Sequence, residues 1–190
     1  MDSQATQAAT PGSGTHAGPI LGIDPGLQRT GYAILTASAD GGACRVVEAG
    51  VVRLNPRQPI EQRLLELERG LDELISAHRP TVLACEQLYA HYRHPRTAIV
   101  MAHARGVILA LAARRGLAVV SVAATHVKKH LTGSGRASKA QVQRAVTSAL
   151  HLPEIPEPDD VADAIAVALC GLRLSDVALP QTRVAEGGRP

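Results

Sequence analysis

Short apolar runs separated by turn residues open the chain. "PILGIDPG", "TGYAILTA" and "CRVVEAGVVRL" each contain enough Ile, Leu and Val for a strand, and the third alternates in part between apolar and polar positions. The first run is broken by Pro-Gly, and the Gly-rich stretch "ADGGA" separates the last two. The pattern predicts three consecutive strands that pair as a meander.

The apolar pattern then changes to a helical period. From Pro59 or Ile60 to His78, apolar residues recur every three or four positions, and "HRP" follows as a stop signal. The stripe consists of Ile60, Leu64, Leu67, Leu71 and Leu74. We therefore predict one amphipathic helix whose apolar face covers the sheet.

In the second half, apolar strands alternate with helices. "TVLACE" and "LAVVSV" are continuous apolar runs, and the long helical segment between them is closed by Gly116. Further helices are predicted near Ala123–Leu131, from about Lys139 to Leu150, and from Asp159 or Asp160 to Leu174. Strands separated by helices pair in parallel with both faces covered. We therefore predict an α/β fold with a five-stranded mixed sheet flanked by helices.

The length of 190 residues is typical of one domain with a substantial core. We assign residues 19–175 to this domain and residues 176–190 to a C-terminal tail. Residues 1–18 lack the charged start and apolar core of a secretory signal, and they lack the arginines of a transit peptide. We expect a disordered N-terminal extension.

Composition narrows the class of protein. Hydrophobic residues make up 45% of the chain, but Phe and Trp are absent, so the core must consist of Leu, Val, Ile and Ala. The net charge of +3 permits an anionic partner, and all three lysines, Lys128, Lys129 and Lys139, lie in one short segment. This segment is the candidate surface for such a partner.

Cysteine spacing and hydropathy indicate the compartment. Cys44, Cys85 and Cys170 show no paired spacing, which argues against a disulfide framework or a zinc site and favours buried thiols in a reducing cytoplasm. The longest apolar region, Ala98 to Ala113, is interrupted by charged or polar side chains and is shorter than the span of about 20 residues that a membrane requires. We expect a cytoplasmic protein with no membrane partner.

Carboxylates follow two predicted strands and begin the last helix. Asp24 ends the first strand and Glu86 ends the fourth, while Asp160 and Asp163 are spaced to face one side of the helix. Each has a simpler explanation: Asp24 before Pro-Gly initiates a turn, Glu86 pairs with an arginine, and Asp159 with Asp160 caps the helix. In an open α/β sheet, however, ligands bind beyond the carboxyl ends of the strands. We therefore expect the carboxylates to converge there.

Converging carboxylates require a cation. They repel one another and raise their own pKa values unless a positive charge neutralises them. Oxygen-only ligands select a hard cation such as Mg²⁺ or Mn²⁺ over zinc. Two such ions, about 3.5 to 4 Å apart, activate a water and stabilise the leaving oxygen of an in-line displacement at phosphorus. The acidic residues therefore predict phosphodiester hydrolysis with two Mg²⁺ per active site and Mn²⁺ as a substitute.

Five motifs in order resemble a known family. "ILGIDPGLQRTGYAIL", "CEQLY", "HARG", "VKKHLTGSGRASKAQVQ" and "DDVADAIAVAL" are similar to the motifs of RuvC-type Holliday junction resolvases, over about Leu21 to Leu174. The resemblance implies a ribonuclease H-like fold, a homodimer, and paired Mg²⁺-dependent nicks in two like-polarity strands of four-way junction DNA. It also implies a branch-migration motor complex as a partner.

The resemblance also implies roles for individual acidic residues. Asp24 in "GIDPG", Glu86 in "EQ", and Asp160 and Asp163 in "DVAD" match the family's metal-binding carboxylates and are the expected catalytic residues. Asp159 has no role in the family pattern, so helix capping is its expected function.

The expected DNA contacts lie in two segments. Lys128 in "HVKK" and Lys139 in "ASK" match family lysines near the cut, and they flank a Gly-rich loop that can approach a phosphate backbone; Lys129 is the third candidate. Tyr89 matches a family position, most often Phe, that stacks on a junction base, an interaction worth about 1 to 3 kcal/mol per base.

Four further residues have less specific expected roles. Arg93 belongs to the basic loop beyond Tyr89, which also carries Tyr92, whose ring either contacts DNA or packs on its own loop. Arg105 in "HARG" is a candidate DNA contact or an ordinary surface arginine, on a helix that resembles the family's dimer-forming helix. Tyr32 is expected to pack on the sheet.

Two other functions share features with the sequence, and a third is disfavoured by its length. A ribosomal-RNA-processing nuclease of the same fold lacks the "EQLY" aromatic loop and the lysine-rich segment. A non-catalytic junction-binding protein should have lost at least one carboxylate, and none is missing. An actin-like ATPase or sugar kinase needs a second, duplicated domain for which this chain has no room.

Overall fold

The computed structural model describes residues 18–37, 44–88 and 95–178. In this part of the chain, a mixed sheet of five strands is flanked by helices on both faces, as predicted. The elements, in chain order, are β1 Ile20–Asp24, β2 Arg29–Ala37, β3 Cys44–Arg53, α1 Ile60–His78, β4 Val82–Glu86, α2 Pro95–Arg114, β5 Ala118–Val122, α3 Ala124–Thr132, α4 Lys139–Ala149 and α5 Asp159–Ala178.

The sheet brings the first and fourth strands together. Its order is β3-β2-β1-β4-β5, with β1 antiparallel to β2 and β2 antiparallel to β3, which confirms the predicted meander. β1 runs parallel to β4, with Ile23 opposite Cys85, and β4 runs parallel to β5. The carboxyl ends of β1 and β4 therefore lie side by side, as expected.

Two cores are built on the two faces of the sheet. α5, with α3 and α4, packs on one face around residues such as Ile165 and Val167, while α1 and α2 cover the other face around Leu67, Leu71 and Ile108. Branched aliphatic side chains and alanine fill both cores, as the absence of Phe and Trp requires. Cys85 and Cys170 are buried among them, as predicted.

Most helix boundaries agree with the sequence prediction, with one clear difference. α2 ends at Arg114 and is followed by Gly116 with a positive φ of 69°, which is a conformation that favours glycine. α5 runs beyond the predicted end at Leu174 to Ala178. The domain limits at residues 19 and 175 stay predictions, because both chain ends lie outside the described residues. The predicted "ADGGA" turn also lies outside them.

α2 contains a long apolar stretch. By length and composition alone, its stretch Thr97–Arg114 is long and apolar enough to cross a membrane, contrary to the sequence expectation that this region is too short. However, Ala104, Ile108, Leu111 and Ala112 are buried in the core against α1 and the sheet. α2 is therefore placed as a core helix of this domain.

Tyr32 packs on the sheet as predicted and also anchors a polar network. Its ring lies against Gly50 and the α1–α2 core. Its hydroxyl donates to Glu48 Oε1 over 2.8 Å, and Glu48 Oε2 lies 2.7 Å from His78 Nε2. The network ties β2 and β3 to the end of α1, away from the acidic residues.

Candidate active site

The alternation of side chains along β1 decides where Asp24 faces. Ile20 belongs to the core under α5, and a Cβ at Gly22 would meet Ala168 of α5. Leu21 and Ile23, by contrast, face the α1–α2 core. Because alternate residues of a strand share a face, Asp24 lies on the α5 face.

β4 repeats this arrangement next to β1. Val82 and Ala84 pack under α5, whereas Leu83 and Cys85 face α1 and α2. Glu86 therefore lies on the same face as Asp24, at the same end of a neighbouring parallel strand. Two carboxylates thus reach one edge of the sheet because both strands end on an α5-facing position.

A glycine contact brings the start of α5 to this edge. Gly31 of β2 lies directly opposite Asp24 in the sheet, and a Cβ there would lie 2.0 Å from the backbone oxygen of Asp160. Only a residue without a side chain lets the helix approach so closely. Asp160, and Asp163 on the next turn, consequently lie beside Asp24.

The proximity of these groups is visible in their pKa values. Burial, followed by the charges of Glu86, Asp163 and Asp160, raises the pKa of Asp24 from 3.8 to about 7, and Lys139 opposes this rise. Burial and the Asp163 charge also raise the pKa of Glu86, against the effect of Lys128. The two strand-end carboxylates are therefore held in a place where their ionised forms are disfavoured.

The simpler explanation of Asp24 as a turn residue is not needed. The Thr30 hydroxyl closes the turn after β1 by accepting from Gly26 N–H and donating to Gly26 carbonyl. Glu86 is contacted by Arg105, but through its backbone carbonyl rather than its carboxylate. Both carboxylates thus remain directed at the edge of the sheet where Asp24, Glu86, Asp160 and Asp163 meet. We call it the acidic edge.

Lys139 is positioned at the same edge by a helix cap. Ser138 caps α4 through a capping box with Gln141, so that Lys139 is the first residue of the helix. Its Nζ lies 3.0 Å from Asp163 Oδ2 and 3.1 Å from Asp159 Oδ2. The lysine therefore supplies positive charge next to the carboxylates.

The acidic edge opens into a cleft of about 290 Å³. Its charged lining combines Glu86 and Asp163 with Lys128 and Lys139, and its apolar floor comes from α3, α4 and α5. Lys129 lies elsewhere, in a separate depression with His126, His130 and Arg173. The structure thus brings two of the three candidate lysines to the acidic site.

The acidic residues fit a hard cation. Asp160 Oδ2 is buried and accepts no hydrogen bond, although Arg29 Nε lies 3.2 Å away as an ion-pair partner. In the described part of the chain, no three His, Cys, Asp or Glu side chains already stand at ligand spacing. A buried oxygen that accepts no hydrogen bond, among mutually repelling carboxylates, is nevertheless the donor chemistry that Mg²⁺ or Mn²⁺ satisfies.

One expectation for this site was wrong. Asp159 is the first residue of α5, one position too late to be its N-cap. Its Oδ1 accepts from Gln143 Nε2 over 2.8 Å and its Oδ2 pairs with Lys139. Asp159 therefore links α4 to α5 instead of capping the helix.

One contact of the site was not predicted from the sequence, and three candidate DNA contacts lie outside the described residues. Nothing in "GLQRT" marked Arg29 as the partner of Asp160, because the contact depends on where α5 lies. Tyr89, Tyr92 and Arg93 lie outside the described residues, so their expected DNA contacts stay predictions.

Comparisons with known proteins agree on one family. The family model described as crossover junction endodeoxyribonuclease RuvC matches residues 20–171. The crossover junction endodeoxyribonuclease RuvC of Rhodopirellula baltica is 47% identical over 91% of this chain and 94% of its own length. That of Caldicellulosiruptor saccharolyticus is 41% identical over 85% of this chain and 96% of its own.

Solved structures give the same result. The structure of Thermus thermophilus RuvC matches with a TM-score of 0.74 and 31% identity, over 80% of this chain and 92% of that one. T. thermophilus RuvC in complex with Holliday junction substrate matches with a TM-score of 0.77 and 29% identity, over 84% and 96% of the two chains. The expected ribonuclease H-like fold is confirmed. This chain therefore belongs to the RuvC family of crossover junction endodeoxyribonucleases.

Proposed function

We propose that this chain resolves four-way (Holliday) DNA junctions by paired hydrolysis of phosphodiester bonds in two strands of like polarity, during recombination and repair. The observation that carries the proposal is the convergence of Asp24, Glu86, Asp160 and Asp163 at one sheet edge, in a chain that covers 94% of the length of its Rhodopirellula baltica relative. Metal-dependent nuclease activity is the general property of this family.

Mg²⁺ is our choice of metal, with two ions per site and Mn²⁺ as a substitute. Asp24, Glu86, Asp160 and Asp163 would hold the ions, since their oxygens are hard donors and the pKa of Asp24 is raised by burial and by the neighbouring carboxylates, which a cation would offset. When bound, two such ions activate the attacking water and stabilise the leaving oxygen. The fold contributes by holding these carboxylates together before any ion binds.

Lys128 and Lys139 are proposed to contact phosphates of the cleaved strand. Both line the cleft that contains Glu86 and Asp163, on the side formed by α3 and α4. Without such cations, four carboxylates would repel the phosphate backbone from the site that cleaves it. The lysines therefore make an acidic site accessible to a polyanion.

The junction centre is expected to contact the segment after β4. Tyr89 would stack on a junction base, and Arg93 in the same segment would contact the backbone. Arg105 and Lys129 were also candidate contacts, but Arg105 is hydrogen-bonded to the sheet and Lys129 faces away from the cleft. Lys128 is therefore a better candidate for a phosphate contact than either of them.

The protein is proposed to act as a homodimer through α2. Two like nicks require two active sites, and α2 presents an apolar groove of about 520 Å³ with α1. Ile99 in this groove is 56% exposed, and Ala102 and Gly106 are small enough to permit close approach of a second helix. Sedimentation at micromolar concentration tests this proposal, and a monomer alone would contradict it.

Two further statements stay predictions. The branch-migration motor as a partner is implied by the family resemblance, and the cytoplasmic location is indicated by the cysteine spacing and the hydropathy of the sequence. Of the rival functions, a non-catalytic junction binder would not need to keep four repelling carboxylates at one edge. A ribosomal-RNA-processing nuclease would act on structured RNA rather than on DNA junctions.

A direct experiment separates these functions. The protein is incubated with four-way, three-way and linear duplex DNA and with structured RNA, each with Mg²⁺ or EDTA, and the nicks are mapped. We expect symmetric, metal-dependent nicks confined to the four-way substrate. Junction binding without nicks would favour a non-catalytic junction-binding protein, and preferential RNA cleavage would favour a ribosomal-RNA-processing nuclease.

A further inference from the structure

Arg105 of α2 contacts the end of the strand that carries Glu86. Its Nε donates to the backbone carbonyl of Glu86 over 3.1 Å, and its Nη2 donates to Ser121 Oγ over 2.8 Å. Ser121 belongs to β5, where it is paired with Cys85. One guanidinium thus bridges the ends of two neighbouring strands.

The contact falls where the sheet stops. The last rung between β4 and β5 is the bond from Gln87 N–H to the Val122 carbonyl, at 2.8 Å, supported by Gln87 Nε2 to the Ser121 carbonyl at 3.3 Å. Beyond Val122 the chain turns into α3, so β5 offers no further rung to β4. At this strand end, Arg105 supplies a charged donor to the Glu86 carbonyl, to which the Cys85 thiol also donates over 3.7 Å.

Arg105 approaches Glu86 from the face opposite the active site. α2 packs with Cys85 and Leu83 on the far side of the sheet from α5. The Cys85 thiol on this face lies 3.7 Å from the same Glu86 carbonyl that Arg105 contacts. The Glu86 carboxylate, in contrast, faces the acidic cleft. Arg105 therefore acts on the backbone of Glu86 and not on its carboxylate.

We propose that Arg105 is a positioning residue for the metal site: it fixes the end of β4 from behind and so holds the Glu86 carboxylate at the acidic edge. The proposal rests on the proposed role of Glu86 as a metal ligand. It assigns Arg105 a structural contact behind the active site in place of a contact with DNA. Groups that orient a metal ligand typically change metal affinity or activity by about 10–100-fold when removed.

The test uses full-length protein and two readouts. Mn²⁺ affinity is measured by titration calorimetry without DNA, and four-way junction affinity is measured in EDTA. For Arg105→Ala we expect Mn²⁺ affinity to fall by about 10-fold or more, with junction affinity unchanged within about twofold. Cleavage should fall at low Mn²⁺ and recover in part at saturating Mn²⁺.

Matched variants separate the bridge from its charge. Arg105→Lys keeps the charge but lacks the planar fork that reaches both acceptors, so it should remain defective in Mn²⁺ binding. Ser121→Ala removes one acceptor and should cause a smaller loss in the same direction; it also keeps the test open should Arg105→Ala fail to fold. Arg114→Ala, on the same helix but paired with Glu68, should leave Mn²⁺ and junction affinities unchanged.

Two results would overturn the proposal. Weaker junction binding with normal Mn²⁺ affinity, rescued by Arg105→Lys, would make Arg105 a DNA contact. Normal Mn²⁺ affinity in both folded Arg105→Ala and Ser121→Ala would remove the positioning role. Asp24→Asn is measured alongside, because loss of cleavage in that variant upholds the metal site even if the Arg105 proposal fails.

Discussion

Asp24→Asn should stop cleavage and at the same time stabilise the protein in the absence of metal. The pKa of Asp24 is raised from 3.8 to about 7 by burial and by its carboxylate neighbours. At about 1.4 kcal/mol per pKa unit, that rise corresponds to about 4 kcal/mol against the ionised carboxylate in the folded state. An uncharged amide of the same shape removes much of this cost, so we expect a gain of about 2–4 kcal/mol near pH 8.

The pH dependence follows from the direction of the shift. A carboxyl group with a raised pKa holds its proton more tightly in the folded than in the unfolded chain, so metal-free stability falls as pH rises from about 4 to about 7 and levels off above that. Asp24→Asn removes this loss. The difference between variant and wild type should therefore be small near pH 4 and full near pH 8.

Thermal and urea unfolding in EDTA at pH 4.5 and pH 8 measure this difference. A gain of 2–4 kcal/mol corresponds to a rise in Tm of roughly 5–15 °C for a domain of this size. Adding Mg²⁺ should stabilise the wild type more than the variant, because only the wild type keeps all its proposed ligands. Asp72→Asn is the matched control: Arg115 lowers the pKa of Asp72, so losing that charge should destabilise the protein.

Two different results would contradict this prediction. Junction cleavage retained by Asp24→Asn would refute the role of Asp24 as a metal ligand. A variant no more stable than the wild type at pH 8 in EDTA would refute the claim that burial and the neighbouring carboxylates disfavour the ionised form of Asp24. Junction binding should survive in either case, because Asp24 contributes no positive charge to the DNA surface.

Three further predictions concern the cleft and its surroundings. Lys128→Ala should impair cleavage and reduce the slope of log junction affinity against log salt concentration by about 1. Lys129→Ala changes a lysine outside the cleft and should have smaller effects on both; equal effects would contradict the placement of Lys128 inside the cleft and Lys129 outside it. Gly31→Ala should reduce cleavage and lower Tm, because its Cβ would meet the Asp160 backbone at 2.0 Å, and a normal Tm would argue against that close approach. Tyr89→Ala should impair cleavage more than Tyr89→Phe, and indifference to both would exclude base stacking.

The strand ends could be predicted because they depend on local pattern. A continuous apolar run followed by a carboxylate placed Asp24 and Glu86 at the ends of β1 and β4, and the helix between the strands implied parallel pairing. The face on which these side chains lie could not be predicted, because β1 and β4 are apolar on both faces and only the packing of Ile20 and Val82 under α5 identifies it. Sequence alone was therefore sufficient for the strand ends but not for their orientation.

Contacts that join separate elements were harder to predict. The links from Arg29 to Asp160 and from Lys139 to Asp159 join segments far apart in sequence, and their existence depends on how α4 and α5 pack. One missed distinction did have a local signal. Val127 and Leu131 pack inward at helical spacing, and Lys128 follows Val127 on the cleft side while Lys129 turns outward.

The acidic edge shows how the fold maintains an arrangement that is unfavourable by itself. Gly31 admits the start of α5, strand alternation presents Asp24 and Glu86, and Lys139 supplies only part of the compensating charge. Better pairing of every carboxylate would stabilise the domain but would leave no ligands available to a cation. A deficit of positive charge is thus what a metal-dependent nuclease site requires before metal binds. The stability gained by Asp24→Asn and the cleavage it loses should therefore have the same electrostatic origin.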